Sequence, residues 1–239
     1  MTPTAFAVVA FAIFFASCLQ ASIGFGMGML AAPIVAIIDP GLVPGTLIML
    51  ATLVTALVVI REGAALDVRG AGWALIGRVP GTIAGAALLS ALPERGLALL
   101  LGGVVLLGIV VTSLGWVPVV RRRNLMFAGA ASGVLGTATS IGGPPMALIW
   151  QKNTGARLRS TMSAFFLVGS ILSLITLTIA GEVTAHTVRL FLLLAPATLL
   201  GYAVSRFLNR VLDRRRLRLT AISLSTIGAV VLVAQQLLP

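Results

Sequence analysis

Apolar residues run almost unbroken for about twenty positions at a time, with the polar positions gathered into short gaps between the runs. The runs cover residues 5–38, 42–60, 70–91, 96–113, 124–151, 160–180, 187–206 and 217–238. A helix rises about 1.5 Å per residue, so twenty residues cross the roughly 30 Å of hydrocarbon in a bilayer. Strands facing lipid would alternate apolar with polar residues instead. The pattern predicts an all-α polytopic membrane protein. Two runs depart from it. Residues 5–38 and 124–151 are too long for one crossing and short for two, and each is interrupted by a glycine-rich polar stretch, Gln20–Gly28 and Gly136–Pro145.

The two interrupted runs resemble each other. Ala16, Ser17, Ser22, Ile23 and Gly24 match Ala131, Ser132, Ser140, Ile141 and Gly142, and farther on Pro80, Thr82 and Gly85 match Pro196, Thr198 and Gly201. The offsets are 115, 118 and 116, close enough for one duplication with small gaps. The expected organisation is a first repeat over 1–113, a cytoplasmic linker over 114–123 and a second repeat over 124–239. Each repeat holds four segments, a broken or re-entrant first one followed by three transmembrane helices.

Charge then fixes the threading. If 124–151 crosses once, the two sides of the membrane carry 10 and 6 basic loop residues; if it returns to its own side, they carry 14 and 2. Positively charged loops stay on the cytoplasmic side, which selects the second count. The repeats are then inverted, the Arg-rich loops face the cytoplasm of a bacterial cell, and both termini face outside its inner membrane. Inverted repeats with glycine-interrupted segments at matching positions are a frequent plan of secondary transporters.

Composition adds exclusions. With 59% hydrophobic and 10% charged residues, the chain cannot coat a water-soluble fold. Its net charge of +11 sits mainly in loops, where it orients the protein; no nucleic-acid partner is implied. Cys18 stands alone, and the Phe15–Cys18 stretch resembles a lipoprotein cleavage site but has no Lys or Arg before it. There is no metal-ligand cluster, Walker motif or Gly-x-Ser-x-Gly motif, so neither an enzyme nor a cofactor is expected.

The candidate chemistry lies in the breaks. Unwound backbone at membrane depth is tolerated where it lines a cavity, and a helix starting there aims N–H groups and a positive dipole end at an anion. Gly24, Gly26, Gly142 and Gly143 let a ligand approach the backbone, and Gln20, Ser22, Thr137, Thr139 and Ser140 offer neutral hydrogen bonds. Arg78 lies in the middle of 70–91 with no charged neighbour in its run, and its flat guanidinium suits two-point contact with oxyanions. The acids Asp39, Glu62, Asp67, Glu94, Glu182 and Asp213 all lie at segment ends or in loops.

These residues resemble the sulfite and organosulfonate exporter family known as TauE/SafE over nearly the whole chain. The resemblance rests on the glycine-rich first segment, on Gly136–Trp150 and on the following Leu158–Phe166, with Gly142–Pro145 as its most specific part. Phe25 and Met27 interrupt a glycine run that is richer in the family. The resemblance implies transport of a small anion, such as sulfite or an organosulfonate, by alternating access. An anion-selective channel and a non-transporting membrane scaffold are the competing expectations. The expected partners are the small anion and the lipid bilayer, with a homodimer left open.

Overall fold

A computed structural model describes residues 1–113, 118–211, 223 and 226–235. Helices form nearly all of it: α1 (Pro3–Ile23), α2 (Met27–Ile38), α3 (Gly45–Glu62), α4 (Val68–Ala91), α5 (Glu94–Ser113), α6 (Arg122–Thr139), α7 (Gly143–Ile149), α8 (Gly155–Ile179) and α9 (Ala185–Val211). A further helical stretch covers Thr226–Gln235. No strand occurs among the described residues. Among the described residues, five helices are long and apolar enough to cross a membrane: Pro3–Ile23, Gly45–Ala65, Val68–Ala91, Gly155–Ile179 and Ala185–Phe207.

Both long runs break where expected, but into unequal arms. Each has a long first helix, 21 residues in α1 and 18 in α6, followed by a short one of 12 in α2 and 7 in α7. At 1.5 Å per residue α1 alone reaches about 31 Å, a full crossing, which a pair of equal half-helices would not provide. The breaks fall late because the residues able to leave the helix come late: Gly24 and Gly26 at φ 90° and 120°, and Ser140 at φ 64°. Residues 114–117 of the linker, residues 212–218 of the Arg-rich loop with Asp213, and residues 217–222, 224–225 and 236–238 of the last run lie outside the described residues, while residues 206–211 continue α9.

The side-chain distribution is that of a protein solvated by lipid. Ile83, Leu107, Phe127, Leu192, Leu200 and Phe207 are exposed on helix faces, while the hydroxyls of Ser17, Thr55, Ser132, Thr137, Ser163 and Thr198 are buried. Two of these hydroxyls bond a carbonyl one turn back, Ser17 to Ile13 and Thr55 to Ala51, which satisfies them without leaving the helix.

Helix pairing crosses between the halves of the chain. α4 packs most closely with α6, α1 with α9, and α3 with α8. In the α4–α6 contact, Gly77, Gly81 and Gly85 lie on the backbone at Met126, Ala130 and Val134, and Gly129 lies on the backbone at Ala74. A Cβ at these positions would overlap backbone atoms. Apolar lipid offers no hydrophobic drive between helices, so such close backbone approach is what holds them together. In the α1–α9 contact Gly201 lies on Phe14, and the Cys18 thiol donates to the Gly201 carbonyl at 3.0 Å.

Candidate functional site

The two breaks meet. Gly28, in the first turn of α2, rests on the Ser140 carbonyl with no room for a Cβ, and the Phe25 ring lies over Gly143. Each break is pinned by polar bonds to α3 or the residue before it. Gln20 accepts from the Met27 N–H at 3.0 Å and donates to the Ala51 carbonyl at 3.4 Å, so it caps α2 and ties it to α3. Ser140 donates its hydroxyl to the Pro44 carbonyl at 3.1 Å. Thr139 accepts from the Ile141 N–H at 3.3 Å and donates to the Leu135 carbonyl at 2.7 Å, holding the backbone through its turn.

Between the breaks lies a cavity of about 50 Å³ lined by α2, α3, α4, α6 and α8 and by both junctions. That volume holds a few water molecules or one small oxyanion. Of the residues singled out from sequence, Gln20, Gly26, Arg78, Ser140, Gly142 and Gly143 line it. Four do not. Thr137 stands behind it, its hydroxyl 2.8 Å from that of Ser173, which does line it. Thr139 is spent on the turn described above. Gly24 packs on Arg159 and Met162 of α8, and Ser22 lines a neighbouring cavity.

Arg78 dominates the electrostatics. It is 3% exposed, and among the described residues no carboxylate lies within ion-pair distance of it. Its Nη1 donates to the Ser132 hydroxyl at 2.9 Å, and Ser132 donates onward to the Gly142 carbonyl at 2.7 Å. Its Nε has no partner in the protein. The guanidinium lies on Gly169, whose missing side chain leaves it room, with the rings of Phe165 and Phe166 at 4.8 and 5.5 Å. Aromatic faces stabilise a buried cation but do not neutralise it. The Nε lies against Gly169 without a partner, and the uncompensated charge lines a cavity that also receives the first turn of α2 at Gly28 and Met29. This arrangement attracts an anion.

Sequence reasoning missed Ser132, Ser170 and Ser173. Ser132 was visible only as the repeat counterpart of Ser17, and the hydrogen bond it makes depends on α4 and α6 lying face to face. Ser170 and Ser173 had a signal that could have been used. With Ser163 and Gly169 they form a small, hydroxylated stripe at helical spacing on an otherwise apolar α8.

The family model described as Sulfite exporter TauE/SafE matches residues 9–232. No curated protein and no solved structure matches the chain.

Proposed function

The chain belongs to the sulfite exporter TauE/SafE family, and from that membership we propose that it is a secondary transporter of small oxyanions, sulfite or organosulfonates, binding them where the two helix breaks meet. The family makes it a multi-pass membrane protein of a transporter class. The observation that carries the finer reading is Arg78: a buried guanidinium with no carboxylate partner and an unpartnered Nε, lining a cavity of oxyanion size. A buried charge of this kind is costly unless something pairs with it, and a bound anion supplies the pair. Arg78 and the first turn of α2 at Gly28 and Met29 then replace the water around the anion, while Ser140, Ser170 and Ser173, whose protons go to the Pro44, Leu167 and Gly169 carbonyls, line the cavity as polar wall.

The inverted-repeat plan, 1–113 against 124–239, is part of this proposal. It is supported by the exchange of partners between the halves. Each broken segment packs on the third helix of the other half, α1 on α9 and α6 on α4, while the second helices, α3 and α8, pack on each other. Thr82 and Thr198, 116 positions apart, are both buried with unpartnered hydroxyls. Access alternates as the halves rock around the cavity. In a bacterial inner membrane with the Arg-rich loops inside, the membrane potential drives a singly charged anion outward with about 2.3 kcal/mol per 100 mV, so no coupling ion is required.

The test is a thermal-shift screen of purified protein against sulfite, sulfate, thiosulfate, sulfoacetate and simple carboxylates, run beside Arg78→Gln. Stabilisation by one class of anion that weakens in the variant supports the reading. Absence of stabilisation by every anion favours a scaffold. In proteoliposomes, saturable exchange distinguishes a carrier from a channel.

A further inference from the structure

Ser22 is the one hydroxyl of the first break that the central cavity leaves out. It lines instead a second cavity of about 180 Å³, shared with Phe25, Ala147, Gly155, Leu158 and Arg159. Ser22 is 2% exposed and its Oγ has no hydrogen-bond partner in the protein. A buried hydroxyl left without a partner is unfavourable in a well-packed fold unless the space beside it is filled by a ligand or water. The opposite wall is the first turn of the 25-residue α8, whose N–H groups lack helical partners and carry the positive end of its dipole.

The charges around this cavity do not cancel. Glu62 accepts from Arg159 Nε at 2.7 Å and pairs with Arg61 Nη2 at 2.9 Å, so one carboxylate serves two guanidiniums. Two guanidiniums carry ten N–H donors against about four acceptor positions on a carboxylate, and the Nη1 of Arg61 is buried without a partner. The remaining pair at this end, Arg157 with Asp67 at 3.5 Å, balances itself. Among these five groups, three guanidiniums face two carboxylates, which leaves a positive charge uncompensated.

Phe25 separates the two cavities, since it lines both. Its ring rests on Gly143, where a Cβ would come within 2.8 Å of Cδ2. Gly24 and Gly26 flank it at φ 90° and 120°, so the residues on both sides are ones that move through backbone conformations closed to other side chains. A ring hinged between two glycines can leave Gly143 without disturbing α1 or α2.

We propose that Ser22, Arg159 and the first turn of α8 form an outer oxyanion subsite, which hands the anion past Phe25 to the cavity at Arg78. This rests on the transport reading above. Ser22 is the residue to test, because Arg159 also holds Glu62 and its loss would confound binding with folding. Uptake of radiolabelled sulfite into proteoliposomes is measured for wild type, Ser22→Ala and Arg78→Gln, with melting temperatures taken in parallel. Removing one hydrogen bond to the incoming anion raises KM about three- to tenfold. The maximal rate stays unchanged, and the melting temperature holds or rises because an unpaired buried hydroxyl has gone. A purely structural Ser22 would move the melting temperature and leave KM alone. A normal KM in Ser22→Ala, with uptake impaired by Arg78→Gln, overturns the outer subsite and leaves the central one standing. Failure of the wild-type protein to take up sulfite overturns the transport reading and this proposal with it.

Discussion

The two helix breaks occupy matching places in the sequence, yet they are built by different means. The first leaves the helix on two glycines at positive φ, and its polar atoms are largely occupied within the protein: Gln20 takes the Met27 N–H, and Leu194 stands on α9 at the place that matches Arg78 on α4. The second turns on Ser140 at φ 64° and is wired to a charge through Arg78, Ser132 and Gly142. One break supplies an apolar and neutral wall; the other supplies a cation. On the proposed repeat alignment the site is one-sided, because position 78 is Arg where its counterpart 194 is Leu.

The packing beneath the breaks differs in the same direction, and the largest effect is expected there. Gly81 of α4 lies on the Ala130 backbone of α6, whereas the matching position on α9 is already Ala197. Gly81→Val forces α4 and α6 apart and displaces Arg78 from Ser132. We expect loss of folded protein, read as loss of the monodisperse peak in detergent. Ala197→Val costs about 1–3 kcal/mol, the usual price of overpacking, and the protein folds. Equal tolerance at both positions would mean that the close α4–α6 approach does not hold the site.

Arg78→Leu makes the two halves alike at the position where they differ. The cation disappears while an apolar side chain fills the same space beside Phe165. Loss of a charge-assisted hydrogen bond weakens anion binding by about 1.5–3 kcal/mol, roughly ten- to 150-fold. Replacing a buried unpaired charge by a hydrophobe is neutral or stabilising, so the melting temperature without ligand holds or rises. Stability and binding should therefore move in different directions. A variant that unfolds while its residual binding is normal would assign Arg78 to structure instead.

These differences mark what the sequence could convey. The all-helical class, the positions of both breaks and a lone arginine inside an apolar helix were legible, because run length, glycine clusters and an isolated charge are local signals. The separation of Ser22 from the other candidates was not. Ser22 and Gln20 are two residues apart, but in a helix that spacing turns side chains to different faces, and Phe25 folds between their cavities. Ser132 was illegible for another reason: its role comes from a partner 54 positions away, fixed only when α4 and α6 pack.

The smallest effect distinguishes how the turns themselves are made. At Gly26, with φ 120°, an added Cβ is strained and comes within 2.7 Å of the Leu19 side chain. Gly26→Ala should cost about 1–3 kcal/mol, the range for a residue held in a disfavoured backbone region. The reverse exchange, Ser140→Gly, removes about 1–2 kcal/mol of left-handed strain. It also removes the hydroxyl that donates to Pro44, a bond worth about 0.5–1.5 kcal/mol. The two contributions nearly cancel, so the melting temperature should stay close to wild type, while the break at Ser140 loses its tie to the start of α3 and anion binding weakens modestly. If Ser140→Gly instead destabilises as much as Gly26→Ala, the second break is held mainly by that hydroxyl, and the contrast between a glycine-made turn and a side-chain-made turn is sharper than the backbone angles alone imply.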